Sequence, residues 1–91
     1  MRLAYIITYD LSKPGRNYEE VLSIIKDYPL WAKLGGSSYI IMTEETPAQI
    51  RDKIIRVLDS NDKLFVGRVK APAAWYNMSD EVSSWLKEHL D

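Results

Sequence analysis

Asp10 closes the run Leu3-Ala4-Tyr5-Ile6-Ile7-Thr8-Tyr9-Asp10, which is otherwise built of apolar, aromatic and β-branched residues. Such a run reads as a β-strand, and open α/β sheets bind their ligands beyond the carboxyl ends of strands. A carboxylate at that point must be hydrated, paired or metal-bound, because burying it alone costs several kcal/mol. The plain alternative is a turn-starting aspartate that accepts hydrogen bonds from the backbone of Leu11 to Lys13. Lys13 and Arg16 follow in the next loop. Two cations beside a carboxylate suit a phosphate backbone, and they equally suit solvent.

Other chemistry is poorly provided for. The one histidine, His89, lies two residues from the end, where a solvated residue suits the negative end of a helix dipole. No nucleophile, base and acid can be assembled around it. Gly15 and Gly35-Gly36 lack phosphate-loop spacing. Glu44-Glu45 precede a helix and read as solvated charges. Ser37-Ser38 stand after a glycine pair, where a serine needs no function. Trp31, Trp75 and Trp85 could stack on bases, but their spacing also suits anchors of a core or an interface. With no cysteine in the chain, disulfides and thiolate metal sites are excluded.

The elements that must position these residues follow from periodicity. Residues 3 to 9 alternate, with Leu3, Tyr5, Ile7 and Tyr9 on one face and Ala4, Ile6, Thr8 and Asp10 on the other. Both faces are largely apolar, so the strand expects two covers. Pro14-Gly15 marks a loop, after which Asn17 can cap a helix, with Glu20 completing a capping box. Tyr18, Val21, Leu22, Ile25 and Tyr28 form that helix's apolar stripe, and Pro29 ends it. Leu30 to Leu34 and Ser37 to Thr43 read as strands joined by a Gly35-Gly36 hairpin. Thr46, Pro47 and Gln49 open a second helix whose core face is Ile50, Ile54, Val57 and Leu58. A turn at Asp59 to Asp62 leads to a strand from Lys63 to Val69. The order β-α-β-β-α-β predicts an α+β, ferredoxin-like fold. Residues 70 to 78 are a connection, and 79 to 90 an extra C-terminal helix capped by Ser79. Val82, Trp85, Leu86 and Leu90 would pack that helix on the domain or on a partner subunit.

The 91 residues, 46% of them hydrophobic, predict one domain with a marginal core that association would help. Twelve basic against thirteen acidic residues give a net charge of −1, whereas duplex-binding modules show a basic excess. Any nucleic-acid binding would need a local cluster or a groove built by two subunits. No apolar run is long enough to span a bilayer, and the N-terminus meets Asp10 too early for a signal peptide. The expected location is the cytoplasm.

Three stretches carry a resemblance: Tyr9-Asp10-Leu11-Ser12-Lys13-Pro14-Gly15-Arg16-Asn17-Tyr18, Ile50-Arg51-Asp52-Lys53, and Leu58 through Val66. Together they resemble the SinR-like family of small bacterial and phage proteins, which is similar to the CRISPR-associated Cas-two proteins and VapD-type ribonucleases. The likeness runs from about Leu3 to Trp75. It implies a ferredoxin-like fold and a homodimer whose sheets face each other. It also implies that Asp10 lies near its symmetry mate and holds a divalent cation, Mg²⁺ or Mn²⁺, as the catalytic and metal-binding residue. The basic cluster that follows the aspartate in Cas-two proteins is reduced here to Lys13 and Arg16, the expected nucleic-acid contacts. A helix replaces the C-terminal strand that often swaps between their subunits.

Two functions are therefore expected. One is a non-catalytic dimeric module that binds a nucleic-acid or protein partner in a defence or toxin–antitoxin setting. The other is a metal-dependent endonuclease, acting on RNA before DNA, with paired Asp10 residues. One carboxylate per subunit and no general base favour the module, since two-metal phosphodiester chemistry gathers several ligands.

Overall fold

A computed structural model describes residues 1–13 and 18–90, Tyr18 by its backbone alone. The elements run β1 (Leu3–Asp10), α1 (Tyr18–Lys26), β2 (Leu30–Gly35), β3 (Ser38–Thr43), α2 (Pro47–Ile55), β4 (Lys63–Arg68) and α3 (Asp80–His89). The four strands form one antiparallel sheet in the order β2-β3-β1-β4. This is the ferredoxin-like α+β arrangement with a helix added at its C-terminal side.

The alternation of β1 is realised as read. Tyr5, Ile7 and Tyr9 join Tyr39 and Ile41 of β3 on the side that α1 and α2 cover with Val21, Ile25, Ile50 and Ile54. Ile7, Val21, Ile25, Ile41, Ile50 and Ile54 are fully excluded from solvent. Each contributes about 1.5–3 kcal/mol by removal from water. On the opposite side Ala4, Ile40 and Met42 are buried beneath Leu86 of α3, with Ile6, Leu30, Leu34, Val69, Trp75, Val82 and Trp85 packed around them. The second cover therefore belongs to the same chain. The open choice between the domain and a partner subunit resolves to the domain.

Boundaries differ in instructive ways. Gly35 pairs with Ser38, and Leu34 is the extra residue of a bulge between Lys33 and Gly35. The hairpin loop is thus Gly36-Ser37 rather than Gly35-Gly36. α2 begins as read, with Thr46 and Gln49 closing a reciprocal capping box and Pro47 at its first turn. It ends at Ile55, so Val57 and Leu58 reach the core from the following turn instead of from the helix. Ser79 caps α3 by accepting from Val82 N–H at 3.2 Å. The expected Asn17 cap and its capping box with Glu20 lie outside the described residues.

Candidate functional site

Asp10 is exposed at the last position of β1, directly opposite Lys63, the first residue of β4. The next pair inward on the same face is Thr8 with Phe65, then Ile6 with Gly67. α3 packs over the Ala4–Ile40–Met42 end of this face and leaves the Asp10 end open. The result is a shallow hollow of about 200 Å³ lined by Thr8, Tyr9, Asp10, Lys63, Leu64 and Phe65. Ser38 Oγ donates to Thr8 Oγ1 at 3.2 Å, fixing the hydroxyls beside it.

Phe65 is 60% exposed, which is unusual for a strand phenylalanine, and its ring lies along β4 over Gly67. A Cβ at Gly67 would stand 2.8 Å from Phe65 Cε2, so the missing side chain is what lets the ring lie flat. The sequence signal was available: Lys63, Phe65 and Gly67 share one side of the strand. The tryptophans, whose spacing also offered stacking, are committed elsewhere. Trp31 packs near Tyr39 with centroids 6.2 Å apart and carries Lys26 Nζ 5.3 Å from its ring. Trp75 and Trp85 belong to the α3 contact, and Trp75 Nε1–H donates to Ser83 Oγ at 3.0 Å. Among the described residues the open aromatics are Phe65 and Tyr76.

The segment after β1 is held from an unexpected side. Asp62 Oδ1 accepts from Ser12 N–H at 2.7 Å and from Ser12 Oγ at 2.9 Å, while Oδ2 accepts from Asp59 N–H at 2.7 Å. Asp62, not Asp10, is the carboxylate that organises the Leu11–Lys13 backbone at Ser12. Lys13 is exposed beyond it, and among the described residues no ion pair joins it to Asp10. Arg16 lies outside the described residues. Among the described residues no three carboxylates, histidines or cysteines gather as metal ligands.

Two further sequence expectations need correction. His89 is not simply solvated: its ring packs against Trp85 with centroids 4.5 Å apart. Nor is Glu45 a free surface charge. It accepts from Tyr28 Oη–H at 2.6 Å and pairs with Lys53 Nζ at 2.6 Å. The Lys53 hydrogen bond, and then that from Tyr28, hold its carboxyl below the ordinary range; burial, and then Glu45, push the Tyr28 phenol well above its own. This trio borders a groove of about 640 Å³ between α1 and α2, lined by Ser23, Ile24, Asp27, Tyr28, Lys53, Arg56 and Val57. The trio joins the β3–α2 connection and α2 to the turn that follows α1, and within it Lys53 and Glu45 satisfy each other.

No family model and no curated protein matches the sequence. Among solved structures, the chain is similar to a hypothetical protein from Thermus thermophilus, with a TM-score of 0.70 and 19% identity over 86% of this chain and 94% of that one. At that identity the likeness shows the ferredoxin-like fold. No described helix is long and apolar enough to cross a membrane.

Proposed function

We propose that the chain is a non-catalytic, dimeric, Cas-two-like module of the cytoplasm that binds a nucleic-acid or protein partner, in a defence or toxin–antitoxin setting. The observation that carries this reading is the setting of Asp10. It faces Lys63 across the β1–β4 ladder rather than a second acid, and a cation there would gain a single carboxylate from each chain. Mg²⁺ takes six ligands and Ca²⁺-like sites more, so two carboxylates would leave most positions to water. Phe65 beside Lys63 offers an apolar ring and a charge to a partner instead.

The competing reading is an endonuclease with paired Asp10 residues, Mg²⁺ or Mn²⁺, and Lys13 and Arg16 on the phosphate backbone. It draws on the exposure of Asp10 at the open end of the face. It also requires two sheets to meet across a surface whose other end α3 already occupies.

A cleavage assay on RNA and DNA with Mn²⁺ separates the two. The module should cleave no faster than Asp10→Ala, and millimolar Mn²⁺ should shift the melting temperature of both proteins equally. Divalent-dependent cleavage that Asp10→Ala abolishes would replace this reading with the nuclease.

A further inference from the structure

β4 is an outer strand of the sheet, with β1 as its one neighbour. Tyr9 N–H donates to Ser37 O, and Val69 N–H donates to Ala4 O. In an antiparallel ladder, opposed residues alternate between exchanging two hydrogen bonds and none. With the observed register, the odd residues of β1 therefore bond to β3 and the even ones to β4. On β4 this engages Lys63, Phe65 and Gly67, and it aims the N–H and C=O groups of Leu64 and Val66 outward. Among the described residues no turn, loop or cap bond takes them up.

Sheet edges that stay single are normally blunted by charge, proline or a covering element. Here the outward residues sit in the contiguous apolar run Leu64-Phe65-Val66. Leu64 and Val66 are half-buried on the α2 side, while Phe65 is exposed on the α3 side. A groove of about 420 Å³, lined by Pro47, Ala48, Arg51, Leu64, Phe65 and Val66, keeps the edge accessible past the start of α2.

We propose that a second copy of this chain pairs with this edge, β4 antiparallel to β4, so that two four-stranded sheets become one continuous sheet with its twofold axis at Phe65. The proposal rests on the dimeric part of the function proposed above and specifies how the dimer is made. Hydrogen-bond parity limits the register, because Leu64 and Val66 must form the bonded pairs. Placing Leu64 opposite Val66 of the second copy satisfies this twice, each pair exchanging two main-chain bonds. Every other position then matches. Phe65 meets Phe65 of the second copy as an aromatic cross-strand pair. Lys63 meets Gly67, so no like charges oppose. The contact is isologous and closes at two chains. In this dimer the two Asp10 residues are three interstrand spacings apart and displaced along the strands, roughly 20 Å in all, too far to share one cation.

The wild-type protein should show a monomer–dimer equilibrium by sedimentation between micromolar and millimolar concentration, approaching roughly 21 kDa, twice the 10.5 kDa of one chain. Val66→Pro removes only an outward N–H, a position where an edge strand tolerates proline. It and Phe65→Glu should both hold the protein at the monomer mass while keeping its circular dichroism spectrum. The chain has no cysteine, so Phe65→Cys supplies one thiol at the axis, where Cα atoms about 4.5 Å apart suit a disulfide. Mild oxidation should make that variant a covalent dimer and leave Asp10→Cys largely unlinked. A monomer mass at every concentration overturns the proposal. So does a dimer that survives both Val66→Pro and Phe65→Glu, or one that cross-links through Asp10→Cys rather than Phe65→Cys. That last result would discard the edge pairing and leave the binding module standing as a face-to-face dimer, whereas a monomer mass removes the dimeric part of the module as well, and its non-catalytic part fails only in the cleavage assay.

Discussion

The two sides of the sheet are covered by different means. On one, α1 and α2 complete a continuous core of ten buried residues among those described, from Tyr5 to Ile54. On the other, α3 buries four, Ala4, Ile40, Met42 and Leu86, and the rest of its contacts are half-exposed. The first cover is intrinsic to the β-α-β-β-α-β order, since each helix is a crossover that must lie on the sheet it connects. The second arrives on an eleven-residue connection, 69–79, and is anchored by Leu86 with Trp75 and Trp85 around it. One side makes the fold. The other finishes it and leaves a corner free for Asp10, Lys63 and Phe65.

Substitutions can break this contrast. The largest effect is expected on the enclosed side, where Ile41→Ala should cost about 2–5 kcal/mol in urea denaturation, because its surroundings cannot collapse into the cavity. Leu86→Ala, the corresponding change under α3, should fall at the low end of that range, roughly 2 kcal/mol, since a helix touching one surface can resettle. Equal losses would mean that both sides form one cooperative core. Trp85→Ala should cost about 1–3 kcal/mol, less than a fully buried tryptophan would, because it is only partly buried.

A smaller effect is expected where α2 is tied to α1. The carboxyl of Glu45 is held below its unfolded value, so its contribution is complete above that value and is lost as pH falls through the lower folded one. The Tyr28 phenol is raised, so its contribution is complete below about 10 and is lost as pH climbs beyond that value. Glu45→Gln should cost about 1 kcal/mol at neutral pH and flatten the acid limb of the stability profile, measured by thermal melts between pH 3 and pH 7. An unchanged acid limb would show that the trio adds nothing. The smallest change belongs to the open corner: Phe65→Ser should alter the stability of the monomer by less than about 0.5 kcal/mol, as expected of an exposed side chain with no buried partner.

Much of the fold was legible because its elements are strongly patterned. The alternation of residues 3 to 9, the Thr46–Gln49 box and the Ser79 cap each name an element and its orientation together. What escaped depended on contacts distant in sequence. The Leu34 bulge moves the hairpin by one residue and leaves no mark beyond a second glycine. The binding of Ser12 by Asp62 spans fifty positions. Glu45 looked like a surface charge because neither Tyr28 nor Lys53 is near it in the chain. At the site, the strand end and its aspartate could be read directly. The neighbour that gives Asp10 its character, Lys63, became visible only with the β1–β4 register. Phe65 was hidden by convention, since an aromatic in a strand is ordinarily assumed to face inward.

The carboxylate of Asp62 has a mechanical consequence. One of its oxygens holds both donors of Ser12, and the other holds the amide of Asp59, in the turn that precedes β4. The segment leaving β1 and the turn that leads into β4 thus share one carboxylate. Displacing Ser12 would therefore release one oxygen of the carboxylate whose other oxygen closes the Asp59–Asp62 turn.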